Sequence, residues 1–75
     1  ENMIMMFFKS NFNQDISNWN VSNVKYMVSM FANNKKFNQD LSKWKINPDC
    51  KTGYMFENCN MPAGYKPLQD GTRIE

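Results

Sequence analysis

The stretch Phe12-Asn-Gln-Asp-Ile-Ser-Asn-Trp19 decides the fold, because the chain repeats it with two substitutions. It returns 25 residues later as Phe37-Asn-Gln-Asp-Leu-Ser-Lys-Trp44. The correspondence continues beyond the tryptophans, since the pair Met30-Phe31 is matched by Met55-Phe56. A fixed period of this size is typical of a solenoid, in which each repeat is one supersecondary unit that packs on the next.

The period divides the chain into four segments. Residues 1–11 look like the end of a repeat, because Met3-x-x-Met6-Phe7 matches Met27-x-x-Met30-Phe31. We therefore expect the chain to begin in the middle of a repeat. The segments are a partial N-terminal repeat, a first repeat, a second repeat, and a C-terminal cap and tail, at residues 1–11, 12–36, 37–61 and 62–75.

Each full repeat is predicted to be a short strand followed by a helix. Trp19 and Val21 alternate with asparagines, as in a strand with one buried face. Ser22 then stands where a helix N-cap is expected. In the second repeat, Asn47-Pro48-Asp49 combines a cap, a first-turn proline and a first-turn acid. In the first repeat, the apolar residues after Ser22 have the spacing of one helix face, at Val24, Met27, Val28 and Phe31.

The two ends of the array are predicted to differ. Two prolines and a glycine in Asn60–Pro67 rule out a continued helix. We expect residues 69–75 to fray. The side chains expected to cover the C-terminal end are Met61, Tyr65 and Leu68. The side chains expected to be exposed at the N-terminal edge, where they favour self-association, are Met3, Met6, Phe7 and Phe8.

Composition excludes several classes of function. The sequence has no histidine, which removes the commonest general base and metal ligand. Its net charge is +2 with scattered basic residues, whereas nucleic-acid binding needs a basic patch. The apolar run Met3–Phe8 is far shorter than the about 20 residues that span a bilayer, and it lacks the features of a signal peptide. We expect no nucleic-acid partner, and membrane attachment only through an anchor outside this chain.

The repeated motif is similar to a known family. Phe-Asn-Gln-Asp-Ile-Ser-x-Trp, followed by Val-Ser-Asn-Val-x-x-Met-x-x-Met-Phe, resembles the repeat of bacterial surface proteins called DUF285 or mycoplasma lipoprotein repeat, which is grouped with BspA-like proteins. The resemblance covers residues 3–59, and Asn47-Pro48-Asp49-Cys50 departs from the pattern. It implies an exported, often lipid-anchored protein without enzymatic activity. It also implies an α/β fold, a short right-handed β-α solenoid that is leucine-rich-repeat-like, with two full repeats between a partial repeat and a cap.

The repeated aromatic and sulfur-containing residues have two interpretations. Trp19 and Trp44 are candidate anchors for a ligand or a carbohydrate, but neighbouring core residues are the simpler interpretation. Five of the seven methionines fall at repeating positions beside Phe7, Phe31 or Phe56, which is typical of a core stripe rather than of a binding groove. We expect both sets to be buried.

Asp15 and Asp40 are candidate calcium ligands, because a repeat brings equivalent carboxylates together. Asn-Gln-Asp is also a turn sequence, in which the side chains hydrogen-bond to the backbone. The sequence contains no Asp-x-Asp-x-Asp-Gly loop. We therefore favour the turn, and we expect no metal and no cofactor.

Cys50 and Cys59 are predicted to be free thiols. An exported location favours a disulfide. If residues 50–58 are helical, however, the two residues lie about 13 Å apart along the axis, beyond the limit of about 7 Å between Cα atoms. A catalytic cysteine lacks a histidine partner, and a zinc site needs two further ligands.

The resemblance implies display at the cell surface or secretion, and we predict a non-enzymatic module that binds a protein or host ligand in an adhesion-type interaction. The alternative is a spacer or variable coat with no specific ligand. Variation confined to the outward strand positions would favour the binder, and uniform outward positions would favour the spacer. The candidate contacts are the outward positions between apolar strand residues, namely Asn18, Asn20, Lys43 and Lys45.

Overall fold

Regular secondary structure is short in this protein. The structure, a computed structural model, describes residues 2–74. It contains a 3-10 helix at Ala63–Tyr65 and two antiparallel strands, β1 at Leu68–Gln69 and β2 at Thr72–Arg73. No α-helix occurs in residues 2–74. The prediction of a right-handed, leucine-rich-repeat-like β-α solenoid with two full repeats is therefore wrong.

Hydrogen-bonded turns occupy the segments predicted to be helical. In residues 27–34, alternate N–H groups donate to the carbonyl three residues earlier, at 3.1–3.2 Å. Ser29 and Asn33 have φ values of 56° and 58°, and this left-handed conformation interrupts a right-handed helix. The same turns recur in residues 3–10 and 52–59. Their left-handed residues are Met5, Lys9, Tyr54 and Asn58.

In the first two of these segments, residues 3–10 and 27–34, the remaining N–H groups pair with the next turn segment along the chain. The donors of residues 3–9 reach carbonyls of residues 26–32 at 2.8–3.0 Å. Parallel bridges join Asn2 to Tyr26 and Tyr26 to Lys51. Residues about one period apart therefore lie side by side. The pairs of the second interface are Met27 N–H to Lys51 O, Ser29 N–H to Gly53 O, Phe31 N–H to Met55 O and Asn33 N–H to Glu57 O, at 2.7–2.9 Å.

This pairing explains why helical spacing was misleading. A helix would bury Val28, which is only partly buried here, whereas Met30 and Ala32 are fully buried. An isolated helix of about ten residues is marginal in water. Residues 3–9 and 27–33 instead find acceptors for every second N–H group in the next segment, and this tertiary pairing overrides local propensity.

The predicted helix caps are also turns. Asn20 Oδ1 accepts a hydrogen bond from the Ser22 N–H at 3.1 Å, so Ser22 caps no helix. Asn47 Oδ1 accepts from the Asp49 N–H at 2.8 Å, and the Cys50 N–H closes the turn on the Asn47 carbonyl. Asparagine offers the backbone a local hydrogen bond that competes with a helix. The same residue types therefore start a turn and not a helix.

Phenylalanine rings form the centre of the core. Phe31 is stacked between Phe7 and Phe56, with centroid distances of 5.5 and 5.4 Å. Phe37 packs beside Phe31 at 4.3 Å, as Phe12 packs beside Phe7 at 4.0 Å. The prediction that the methionines at repeating positions are buried is only partly right. Met27, Met30 and Met55 are buried, whereas Met6 is exposed and Met3 is half-buried.

One polar side chain is fully buried in this core. Asn34 Nδ2 donates to the Phe12 carbonyl at 3.2 Å, and Asn34 Oδ1 accepts from the N–H groups of Lys36 and Phe37. All buried side-chain nitrogen and oxygen atoms of the described chain have a partner. Because burial without hydrogen bonds is costly, Asn34 specifies the path between the two repeat segments.

The C-terminal residues form a hairpin, so the prediction that they fray is wrong as far as residue 74. β1 and β2 are joined by Asp70-Gly71, whose φ values of 51° and 81° suit a type I′ turn. Gln69 ties the hairpin to the second repeat segment, because its Nε2 donates to the carbonyls of Asn47 and Cys50 at 3.0 and 2.8 Å. Of the predicted covering residues, Met61 is buried, and Tyr65 and Leu68 remain exposed.

Candidate functional site

A shallow depression of about 250 Å³ lies between the two repeat segments. It contains three of the four predicted contacts, Asn20, Lys43 and Lys45, whereas Asn18 is exposed but does not line it. The structure thus brings together side chains that are more than 20 residues apart. The lining residues are Trp19, Asn20, Val21, Ser22, Lys43, Trp44 and Lys45.

The two tryptophans have equivalent neighbours but different exposure. Trp19 is tilted against Phe7 at 6.1 Å, and Trp44 is tilted against Phe31 at 6.5 Å. Trp44 is 4% exposed, and its Nε1 donates to the Ile16 carbonyl at 3.1 Å. Trp19 is 37% exposed. The core interpretation is therefore confirmed for Trp44 and only partly right for Trp19.

The exposure of Trp19 is the feature that sequence reasoning missed. The repeat makes both tryptophans look equivalent, and no local motif separates them. The difference lies in the hydrogen-bond acceptor of the indole N–H. For Trp44 this acceptor is the carbonyl of Ile16, which lies in the preceding repeat. Trp19 Nε1 has no hydrogen-bond acceptor within residues 2–74.

The polar rim of the depression is rich in donors. The Ser22 hydroxyl donates to Asn20 Oδ1 at 2.7 Å, and the Ser22 N–H donates to the same oxygen at 3.1 Å. This fixes the Asn20 amide and leaves its NH₂ group facing away from Ser22. Lys43 and Lys45 are exposed and contribute ammonium groups, which are donors only. The arrangement can hold an acceptor-rich or anionic group.

A second depression of about 300 Å³ lies further along the same two segments. It was not anticipated from the sequence, and it lies at the parallel bridge between Tyr26 and Lys51. Asp49 contributes a carboxylate to it, so its charge is more mixed than that of the first depression. Its lining residues are Lys25, Tyr26, Asn47, Asp49 and Lys51.

The aspartates of the Asn-Gln-Asp motifs open local turns, as predicted, whereas Asn13 Oδ1 accepts from the Asn38 N–H of the next repeat at 2.9 Å. Asp15 Oδ1 accepts from the Ser17 N–H, and Asp40 Oδ1 accepts from the Ser42 N–H, both at 2.9 Å. The backbone N–H and then the hydroxyl of Ser17 hold the pKa of Asp15 below its ordinary value, and the hydroxyl and N–H of Ser42 lower the pKa of Asp40. Within the described residues no three His, Cys, Asp or Glu side chains converge on a common point.

Cys50 and Cys59 are buried free thiols, which confirms the prediction. The predicted reason is wrong, because residues 50–58 are not helical. Cys50 Sγ lies 3.8 Å from the Lys51 carbonyl, and Cys59 Sγ lies 3.9 Å from the Phe37 carbonyl. Burial raises the pKa of both thiols, which lowers the fraction of reactive thiolate.

The comparisons with known proteins give one match. The family model described as "Mycoplasma protein of unknown function, DUF285" matches residues 1–64. No curated protein sequence and no solved structure matches the chain. In residues 2–74 there is also no helix whose length and apolar character would let it cross a bilayer.

Proposed function

The chain belongs to the DUF285 family, and from that premise we propose that it is a non-enzymatic, surface-displayed module that binds a protein or host ligand in an adhesion-type interaction. The observation that carries the proposal is the depression around Trp19. It combines a partly exposed indole with two ammonium groups and an oriented amide. Aromatic side chains with polar neighbours are enriched where proteins bind partners.

The chemistry of the chain supports a binding role over catalysis. The sequence has no histidine to act as a general base. Cys50 and Cys59, the strongest nucleophiles in the chain, are buried and have raised pKa values. Neither cysteine lines the depression.

We also propose that the protein acts at the cell surface or after secretion, attached to a membrane only through an anchor outside this chain. Its partner would be a protein or another host surface ligand and not a nucleic acid. The support is the family membership together with the scattered distribution of the basic residues.

The proposal is tested by a binding screen of the 75-residue chain against extracellular-matrix proteins and host glycans. We expect at least one ligand whose binding falls about tenfold or more in the Lys43→Glu/Lys45→Glu variant. Lys35→Glu/Lys36→Glu is the matched control, because it changes two exposed lysines outside the depression by the same charge. A ligand that binds both variants equally would contradict the assigned surface, and a screen without any ligand would favour the spacer role.

A further inference from the structure

We infer that the depression around Trp19 binds a sugar residue that carries a carboxylate, such as a uronic acid or a sialic acid. The inference rests on the proposed function and specifies its ligand. Its starting point is a small set of side chains that point to one chemistry, namely the Trp19 indole, the Asn20 amide and the ammonium groups of Lys43 and Lys45.

The charge of the depression favours an anion. Two ammonium groups line it, and no carboxylate is among its lining residues in the described chain. Asp40 interacts with Lys43 from outside the depression and offsets part of the positive potential. Among the described residues, no carboxylate lines the depression beside Lys45. A net attraction for the carboxylate of a ligand therefore remains.

The hydrogen-bonding groups favour a ligand with many oxygen acceptors. The Asn20 Oδ1 atom is occupied by the Ser22 N–H and hydroxyl. Asn20 Nδ2 donates no hydrogen bond within residues 2–74, so its two N–H bonds are available and are held in position before a ligand arrives. Donors that are already oriented cost little conformational entropy on binding.

The Trp19 indole supplies the apolar part of the site. The ring packs against Phe7, with 6.1 Å between the two ring centroids, and 37% of Trp19 is exposed to solvent. The C–H face of a sugar ring is a flat apolar surface of similar width, and it packs on an exposed aromatic face as other apolar surfaces do. An anionic group alone would leave this face unused.

The size of the depression favours a single ring. Its volume of about 250 Å³ lies below the range of about 300 to 1,000 Å³ that is usual for drug-sized ligands. One sugar residue fills such a space, and a longer glycan would extend from it over the surface. Because the contacts are few and exposed, we expect a dissociation constant of about 1 mM for the free sugar.

The experiment titrates the ¹⁵N-labelled 75-residue chain with glucuronate, sialic acid and glucose by NMR. We expect saturable shifts of the Trp19 indole N–H and the Asn20 side-chain amide with the two acids. Glucose differs from glucuronate in lacking the carboxylate, so it should bind at least about tenfold more weakly. Equal binding of glucose and glucuronate would overturn the inference.

Variants then place the site. Lys43→Gln/Lys45→Gln should weaken glucuronate binding about tenfold or more, while the control Lys35→Gln/Lys36→Gln should not. Trp19→Phe keeps a ring against Phe7 and should weaken binding of both acids by a smaller factor. Equal loss in the lysine pair and in its control would overturn the inference.

Two further probes separate the ligand classes. Adenosine monophosphate and a short glutamate-rich peptide should shift the Trp19 and Asn20 signals less than glucuronate does, and an equal or stronger response to either would overturn the assignment to a sugar. If no acidic sugar binds but a matrix protein still binds through Lys43 and Lys45, the inference fails and the proposed function stands.

Discussion

At the scale of the residue, the side chains of asparagine and aspartate shape the chain. Six Oδ1 atoms accept a hydrogen bond from the N–H group two residues further on, and they belong to Asn2, Asp15, Asn20, Asn34, Asp40 and Asn47. Such bonds fix a local turn without help from a neighbouring strand or helix. Asparagine and aspartate therefore hold local turns in a chain with little regular secondary structure.

We predict that the turns at Asp15 and Asp40 make the stability depend on acid. Both groups have a pKa below the ordinary value in the folded protein, so their contribution is present above the unfolded pKa of about 3.9. It is lost as the pH falls through the folded value. The Asp15→Asn/Asp40→Asn variant should keep the turns and show a smaller decrease in the free energy of unfolding between about pH 5 and about pH 2.5.

Denaturant titrations at several pH values provide the measurement. The control is Glu57→Gln, which also removes an exposed carboxylate. Within the described residues, the Glu57 carboxylate accepts no hydrogen bond. An unchanged pH slope in the double variant would show that the two turns do not contribute.

The two thiols should react slowly in the native protein. Because Cys50 and Cys59 are buried and their pKa values are raised, alkylation by iodoacetamide at pH 8 is expected to be at least about tenfold slower than in denaturant. Mass spectrometry of timed samples measures both rates. Fast modification of either cysteine under native conditions would mean that its segment opens readily.

At the scale of the element, side-chain hydrogen bonds hold the C-terminal hairpin on the second repeat segment. Gln69 on β1 donates to carbonyls around Asn47 and accepts from the Thr52 hydroxyl at 3.1 Å. A parallel bridge joins Lys45 to Leu68 next to it. A two-residue strand has little stability of its own, so its position depends on these contacts.

We predict that Gln69→Ala lowers the free energy of unfolding by about 1 to 3 kcal/mol, because several backbone carbonyls lose their donor. Gln14→Ala is the matched control, since Gln14 is exposed and its side chain makes no hydrogen bond in residues 2–74, and it should change stability by less than about 0.5 kcal/mol. Chemical denaturation measures both variants. Equal effects would mean that the hairpin is not held through Gln69.

The register of the elements was predictable, but their conformation was not. The 25-residue period correctly aligned Phe31 with Phe56, whose rings are stacked. Whether alternate N–H groups pair within a helix or with a neighbouring segment depends on tertiary contacts that local spacing does not contain. The hairpin was within reach of sequence reasoning, because Asp70-Gly71 is a strong type I′ signal. Part of the depression was predictable, because the alternation of polar and apolar residues places Lys43 and Lys45 on the outside. The exposure of Trp19 could not be predicted in this way.

At the scale of the whole molecule, one phenylalanine joins the three turn segments. The Phe31 ring contacts the rings of Phe7, Phe37, Trp44 and Phe56. The protein is small, with a radius of gyration of 10.9 Å, and small domains bury a limited core. Much of the cooperative stability therefore depends on this single position.

We predict that Phe31→Ala lowers the free energy of unfolding by about 3 to 5 kcal/mol, a large part of the total for a small domain. The ring leaves a cavity in the centre of the stack. Phe8→Ala removes a half-buried ring that the Lys9 ammonium group covers at 5.4 Å from the centroid, and it should cost less than half as much. Comparable losses would place the core elsewhere.

We further propose that the 75-residue chain self-associates through its N-terminal edge. Of the residues predicted to be exposed at this edge, Met6 is exposed, whereas Met3, Phe7 and Phe8 are partly buried. Ile4 and Met5 are exposed beside Met6, at 43%, 49% and 50% for residues 4, 5 and 6, and exposed apolar surface favours association. Sedimentation should show an average mass that rises with concentration and a smaller rise for Met6→Lys. Tyr54→Lys, at an exposed residue in the last turn segment, is the control. A monomer at every concentration would contradict the proposal.

The alternation of donors described for the turn segments has a consequence for how such genes change. The turns of residues 3–10 and 27–34 each donate their spare N–H groups to carbonyls of the following turn segment. Recombination that adds or deletes one whole coding unit leaves every donor opposite an acceptor, whereas a partial unit would misalign the phenylalanine column. Length can thus vary among descendants in whole steps while the interior stays the same.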